Sequence, residues 1–171
     1  MSDVRIEEPF PLHRLPEAYD WSRRYWRHVA HDGIPKNFDE WFVMHATALF
    51  DPCVRSWGVW RGDELGGFLW AVIDRWIARP HCIFKRTFWG YETTLASIRL
   101  GIDQVFRDGV TKIEMWCYED NARAMALYRA LGCVQEGCLS RQVRRDGEYT
   151  SMNIWGLSKE EEQNGRSSNG S

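Results

Sequence analysis

The sequence lacks the features of a membrane or secreted protein. No apolar stretch approaches the ~20 residues that a membrane-spanning helix requires. The first ten residues, MSDVRIEEPF, have neither the basic start nor the apolar centre of a signal peptide. The net charge of −2 offers no basic surface for nucleic acid or for an anionic membrane. These absences predict a cytoplasmic protein with neither a nucleic-acid nor a membrane partner.

Paired cysteines and clustered metal ligands are also missing. The five cysteines, at positions 53, 82, 117, 133 and 138, are odd in number and form no CxxC pair. They predict reduced thiols and a cytosolic setting. His28 and His31 are three residues apart, but no acidic or cysteine partner accompanies them, so we predict no metal site. Cys117 has no patterned histidine to activate it and is interpreted as a buried thiol rather than a nucleophile.

The composition is that of one globular domain. The chain has 171 residues, of which 44% are hydrophobic and 27% are charged. Residues 159–171 (KEEEQNGRSSNGS) contain nothing to bury. We therefore predict a domain over residues 1–158 and a disordered tail over 159–171.

Hydrophobic periodicity predicts an α+β fold. The predicted helices cover residues 17–31, 37–50, 91–108 and 121–131. The predicted strands are an edge strand within residues 4–15, followed by 54–60, 65–76, a strand from 79 or 81 to 87, 110–117, 133–144 and 149–157. This order predicts a mixed, mostly antiparallel sheet flanked by helices, with a local parallel pair at residues 112–117. Parallel strands that diverge open a crevice at their carboxyl ends, where ligands bind.

The stretch 112–132 organises this pattern. Ile113, Met115 and Cys117 alternate with polar positions, as in a half-buried strand, and Asn121 is a good helix N-cap. Apolar residues then recur at helical spacing, with Tyr128 among them, and Gly132 is placed to end the helix. The sequence therefore predicts a strand that leads through a short cap into a helix.

Residues 113–132 (IEMWCYEDNARAMALYRALG) resemble the strand–helix segment of the GNAT superfamily of acetyl-CoA-dependent N-acetyltransferases. QEG at 135–137, RDGEY at 145–149 and WGL at 155–157 resemble the last hairpin of its protein and amino-acid N-acetyltransferase branch. The resemblance extends over residues 84–157. It implies a GNAT fold, acetyl-CoA as acyl donor, and an amine acceptor that is a small molecule or a peptide N-terminus.

The resemblance also implies roles for individual residues. Tyr128 matches the general acid that protonates the departing CoA thiolate, a task that suits a phenol because its pKa is comparable to that of a thiol. Asn121 matches a position that holds the pantetheine arm, and Ala124 belongs to the same cofactor-binding segment. The alternative for Tyr128 is an aromatic residue on the buried face of a helix.

The sequence departs from the family at the loop that binds the pyrophosphate. The predicted cofactor-binding residues here are Lys85, Arg86, Phe88, Trp89, Gly90 and Tyr91. Lys85 takes the place of the usual Gln or Arg, and Phe88 replaces the first glycine. Glu92 stands at the helix start, where a carboxylate competes with phosphate for the positive helix end. At 4 Å and an effective dielectric of 20, that repulsion is about 4 kcal/mol.

Three functions follow from these patterns. The first is an active acetyltransferase that acts on a primary amine. The second is a catalytically inactive GNAT-fold binding or structural protein, such as a virus-encoded relative or virion component, and the third is an acyl-CoA or nucleotide sensor. The acceptor, the general base and the oligomeric state stay open, although Glu114 and Glu119 lie nearest in sequence for the base, with Glu114 expected to face outward.

Overall fold

The computed structural model describes residues 3–25 and 31–160. The strands are β1 (Val4–Glu7), β2 (Val54–Arg61), β3 (Glu64–Asp74), β4 (Ile77–Phe84), β5 (Lys112–Tyr118), β6 (Val134–Arg145) and β7 (Glu148–Ser158). The helices within the described residues are α1 (Leu15–Arg24), α2 (Phe38–Leu49), α3 (Tyr91–Arg107) and α4 (Ala122–Leu131).

The strands form one sheet in the order β1-β2-β3-β4-β5-β7-β6. Each neighbouring pair is antiparallel except β4 and β5, which run parallel. This arrangement confirms the predicted α+β fold, including the mostly antiparallel sheet and the local parallel pair. The parallel pair is brought about by α3, which carries the chain back across the sheet between β4 and β5.

Two hydrophobic cores lie on opposite faces of the sheet. On one face α3 contributes Ile98, Ile102 and Val105, at helical spacing, to the larger core. On the other face Leu15 of α1 and Trp41 of α2 belong to a second core. Burial of both faces explains why the central strands carry long apolar runs instead of a simple alternation.

The third long strand differs from its predicted boundaries. It begins at Ile77 and ends at Phe84, and residues 86–88 form a 3-10 turn instead of extending it to residue 87. The preceding strand ends at Asp74 because Arg75, with φ of 57°, closes a tight two-residue turn before Ile77. A positive φ at an arginine is uncommon, so the sequence carries no glycine or asparagine signal for this turn.

The first helix and the start of the predicted tail differ from their predicted boundaries by a few residues. The helix predicted over residues 17–31 begins at Leu15, with Pro16 in its first turn, and residues 26–30 lie outside the described residues. Lys159, the first residue of the predicted tail, donates its backbone N–H to Thr111 O and its ammonium to Phe106 O (3.0 and 2.7 Å). Residues 161–171 lie outside the described residues. None of the described helices is both long enough and apolar enough to cross a bilayer.

Candidate active site

A cleft opens where β4 and β5 separate. The two strands pair only at Ile77–Lys112 and Ala78–Ile113, and beyond these pairs each strand keeps only its outer neighbour. Pro80 follows two residues after the last pair. Because proline has no N–H to donate, it suits a strand that has become an edge. The divergence is therefore built into the sequence of β4.

A cavity of about 780 Å³ occupies this divergence and reaches both faces of the sheet. Its lining includes His81 of β4, Trp116 of β5, Tyr128 of α4 and His45 of α2. The size is within the range of small-molecule sites, about 300–1,000 Å³. The predicted crevice and the predicted catalytic tyrosine thus fall in one place.

Tyr128 presents its hydroxyl to this cavity. The side chain is half-buried, and the hydroxyl donates a hydrogen bond to Trp116 O at 3.0 Å. Its ring packs edge-on against Trp155, with centroids 6.0 Å apart. Burial, followed by the nearby cysteine thiols, holds the pKa of Tyr128 well above its ordinary value. The phenol is protonated at neutral pH, as an ordinary tyrosine would be, and the raised pKa makes it a weaker acid.

Asn121 and Ala124 line the same cavity at the start of α4. The Asn121 side chain accepts the Ala124 N–H at 3.1 Å, so the predicted N-cap is confirmed. The cap directs the first turn of α4, and with it Tyr128 one turn further on, toward the gap beside β5. Cys117, also at the cavity, is buried, and burial raises the pKa of its thiol to about 11.

The residues of the 85–90 loop lie outside the cavity lining. The Lys85 ammonium pairs with the carboxylate of Glu64 on β3. The Phe88 side chain is fully buried, and a methyl group built on Gly66 would lie 2.2 Å from its ring. Phe88 was predicted among the cofactor-binding residues, but its side chain does not face that loop, because the ring fills the core space that Gly66 leaves open.

The backbone of the 85–90 loop is also partly engaged. The N–H groups of Phe88 and Trp89 donate to Lys85 O and Arg86 O, at 2.9 and 3.1 Å, in the 3-10 turn. Gly90 follows with φ of 145°, a conformation that favours glycine, and α3 then begins at Tyr91 without a side-chain cap. The first-turn N–H groups of α3 have no acceptor within the helix and are the anion donors that this loop retains. Exposed Glu92 lies among them.

Trp89 connects the loop to its surroundings. Its indole N–H donates to Phe84 O at 3.0 Å, and its ring contacts the ring of Tyr25 at 4.2 Å between centroids. The Arg123 guanidinium of α4 lies 5.4 Å from the Trp89 ring centroid. This cation–π contact joins the loop after β4 to the first turn of α4, from opposite sides of the cleft.

An aromatic and imidazole cluster lines the cavity on the α1–α2 face. The His45 ring stacks on Trp41 at 3.8 Å, and the His81 ring stacks on Trp70 at 5.0 Å. His45 Nδ1 lies 2.9 Å from Trp41 O, which fixes its proton on that nitrogen. His81 is exposed and its ring lies on the cavity wall, where the surrounding protein replaces part of its hydration. Burial, with a smaller effect of His45, lowers the pKa of His81 to about 4.

Glu114 belongs to this face of the cleft, which corrects the expectation that it points outward. Its carboxylate accepts hydrogen bonds from Arg79 Nε at 2.7 Å and from Trp116 Nε1 at 3.0 Å, and only 16% of its side chain is exposed. Burial alone would raise the pKa of Glu114, but these two donors lower it. Glu119 lies elsewhere, where it accepts the Ser151 N–H at 3.3 Å.

Sequence reasoning did not identify Arg79, His45, His81 or Trp70 as site residues. One signal was present in β4: Arg79 and His81 alternate with apolar Ala78 and Cys82, which places them on the same face. The face of a strand is predictable in this way. The partners that Arg79 and His81 contact come from distant segments, and no local pattern indicates them.

Comparison with known proteins gives structural matches. No protein-family model matches the sequence, and no curated protein matches it. The spermidine N-acetyltransferase SpeG from Vibrio cholerae, solved with CoA and spermine, matches 94% of this chain and 98% of its own at 17% identity and a TM-score of 0.81. Mycobacterium smegmatis RimJ, solved with CoA-disulfide, matches 92% of this chain and 83% of its own at 15% identity and a TM-score of 0.79. The described chain has the fold of the GNAT acetyltransferases.

Proposed function

We propose that this protein is an acetyl-CoA-dependent N-acetyltransferase that acetylates a primary amine. The observation that carries the proposal is the hydroxyl of Tyr128, which lies at the cleft between β4 and β5 beside the Asn121 cap. The structural neighbours are acetyltransferases, and one of them was solved with CoA and a polyamine. The five free cysteines agree with a cytoplasmic setting, which is part of the proposal.

The reaction uses the cleft from two sides. The neutral amine nitrogen attacks the thioester carbonyl carbon and forms the C–N bond, after which the C–S bond breaks and the thiolate leaves. Tyr128 gives its proton to that sulfur and regains one from solvent, while the nitrogen loses a proton to a base or water. Tyr128 is protonated at neutral pH and can give its proton to the developing thiolate, although its raised pKa makes this transfer less favourable than the matched pKa of an ordinary phenol would.

The donor would lie along the α4 wall of the cleft. Asn121 and Ala124 would contact the pantetheine arm, and the uncapped start of α3 at Tyr91 would receive the pyrophosphate through its N–H groups. Lys85 and Arg86 precede this start in the same loop and would add positive charge. Lys85 must first leave Glu64 to do so.

The test is to measure donor binding and turnover separately. Isothermal titration with acetyl-CoA gives the first, and spectrophotometric detection of the released CoA thiol in the presence of a panel of primary amines gives the second. Binding together with amine-dependent CoA release supports the proposal. Absence of acetyl-CoA binding at millimolar concentration overturns it.

A second function is favoured by the 85–90 loop. The Lys85 ammonium is paired with Glu64, and two of the loop's N–H groups are bonded within the loop. The Trp89 ring also contacts the guanidinium of Arg123 on α4. A GNAT-fold protein that binds a partner without catalysis would tolerate all three features. Binding of acetyl-CoA with no CoA release for any amine would instead indicate an acyl-CoA sensor.

A further inference from the structure

The acceptor side of the cavity is almost free of net negative charge. Among the described residues that line it, Glu114 is the one carboxylate, and Arg79 is bound to it at 2.7 Å. Residues 26–30 (WRHVA) contain no acidic residue that could add to it. His81, with its pKa of about 4, is neutral at physiological pH, and burial also lowers the pKa of His45.

The same side is rich in indole rings. Trp70 stacks on His81, and Trp41 stacks on His45. Trp116 of β5 is 41% exposed although it lines the cavity, so a face of its ring remains accessible. Met44 and Met152 also line the cavity with flexible thioethers. Indole faces attract a single ammonium group and pack well against apolar or aromatic bodies.

We infer that the acceptor is a monocationic primary amine carried on an aromatic or apolar body. This inference rests on the proposed function and deepens it by naming the acceptor class. The amine approaches Tyr128 from the α1–α2 face, while its aromatic body packs between Trp116 and the Trp70–His81 stack. The indole faces attract the one ammonium group before it loses its proton.

A polyamine fits this cavity poorly. Each further ammonium that enters a partly buried site needs a counter-charge, and the lining supplies one carboxylate that Arg79 already neutralises. The inference therefore assigns this chain a different acceptor class from the spermine that was bound to the neighbour of the same fold.

The first experiment compares three acceptors at saturating acetyl-CoA. They are 2-phenylethylamine, the C-terminally amidated peptide Phe-Gly-Gly-NH2 and spermidine, and the readout is kcat/KM for CoA release. We expect kcat/KM for an aromatic monoamine to exceed that for spermidine by about tenfold or more. The faster of the two aromatic acceptors shows whether the source is a free amine or a peptide N-terminus. Equal rates, or a preference for spermidine, would overturn the inference.

Two variants connect the preference to named residues. Trp116→Ala should lower kcat/KM for 2-phenylethylamine by about tenfold and leave spermidine unchanged, whereas Trp76→Ala, in the exposed β3–β4 turn, serves as its matched control. Arg79→Met frees the Glu114 carboxylate and should raise kcat/KM for spermidine by about tenfold. If Arg79→Met fails to fold, the comparison of Trp116→Ala with its control Trp76→Ala tests the inference by itself. Equal effects of Trp116→Ala on both amines would contradict the inference.

Equilibrium binding separates this inference from the proposed function. Quenching of tryptophan fluorescence by each amine measures affinity without turnover. If no amine supports CoA release but 2-phenylethylamine still binds more tightly than spermidine, the proposed function fails and the acceptor inference stands. If CoA is released but spermidine is preferred in both assays, the reverse holds. If neither of the two aromatic acceptors binds more tightly than spermidine, the inference is contradicted.

Discussion

The two segments predicted to bind the cofactor differ in how they use their polar groups. One is the α4 wall of the cavity, where Asn121 caps its helix and the Tyr128 hydroxyl bonds to Trp116 O. The other, which we term the opposite wall, is the 85–90 loop outside the cavity lining, where Lys85 pairs with Glu64 and the Phe88 and Trp89 N–H groups bond to the loop's own carbonyls. The comparison teaches that two segments with one predicted role can differ in whether their polar groups face a cavity or are engaged in structural contacts.

Tyr128→Phe should have the largest effect, because it removes the hydroxyl group that the α4 wall presents to the cavity. The ring keeps its packing on Trp155, but the proton donor and the bond to Trp116 O are lost. We expect kcat to fall by about 10²–10⁴-fold, the usual effect of a lost acid–base group. The lost hydrogen bond should reduce the free energy of unfolding by only about 1 kcal/mol.

The matched control is Tyr149→Phe, at an exposed tyrosine of β7. Rates of CoA release and urea denaturation should be measured for both variants. Unchanged turnover in Tyr128→Phe would assign this residue to packing and remove the chemical difference between the walls.

Phe88→Ala tests the structural role of the opposite wall. The ring is fully buried against Gly66 and belongs to the larger core. Truncation of a buried phenylalanine costs about 3–5 kcal/mol, so urea denaturation should show a loss of that size. Phe50→Ala, at a phenylalanine that is 76% exposed, should change stability by less than about 0.5 kcal/mol. Equally small losses of stability in the two variants would show that the Phe88 ring does not belong to the core.

Glu64→Gln removes the ion pair that holds Lys85, so the lysine becomes available to a phosphate. The pair is partly exposed, with 27% and 47% of the two side chains accessible, and such pairs contribute about 0–1 kcal/mol. We expect the Kd for acetyl-CoA to fall by up to about fivefold at low ionic strength. Asp63→Asn removes the same charge from the adjacent turn position. Equal gains in both variants would show a general charge effect instead of release of Lys85.

The smallest expected effect concerns pH and the His81 side of the cleft, because the exposed His81 ring stays largely screened by solvent. Burial lowers the pKa of His81 to about 4 in the folded state, against about 6.5 in an unfolded chain. The unfolded state therefore binds more protons in this window, and the free energy of unfolding should fall as pH drops from about 6.5 to 4. His81→Phe should flatten that decline in urea denaturation across the window. An unchanged slope would show that His81 keeps the pKa of an ordinary histidine.

Local patterns predicted most of the fold and half of the site. The order of the long strands and helices follows from hydrophobic periodicity, which each segment carries by itself. Asn121 was readable as a cap because its bond to Ala124 spans three residues. Tyr128 was readable as a site residue because the resemblance covers its whole helix, and the cavity at its hydroxyl agrees with that role without testing it.

The remaining features depend on contacts between distant segments. Glu114 was expected to face outward, but Arg79, 35 residues earlier, crosses the diverging strands to bind it. Phe88 was expected at the phosphate, yet the space beside Gly66 on another strand accepts its ring. The turn at Arg75 adopts a positive φ that its residue type does not favour, because β3 and β4 pair up to Asp74 and Ile77 on either side.

The sequence by itself determined the elements, their order and the capped helix that carries Tyr128, because these depend on interactions within a few residues. Only the tertiary structure decided that Lys85 pairs with Glu64, that Phe88 enters the core, and that the α1–α2 face of the cavity brings indole rings beside the Arg79–Glu114 pair. The physical reason is that burial and charge pairing are properties of neighbours in space. Those neighbours come from strands and helices that only the folded sheet brings together.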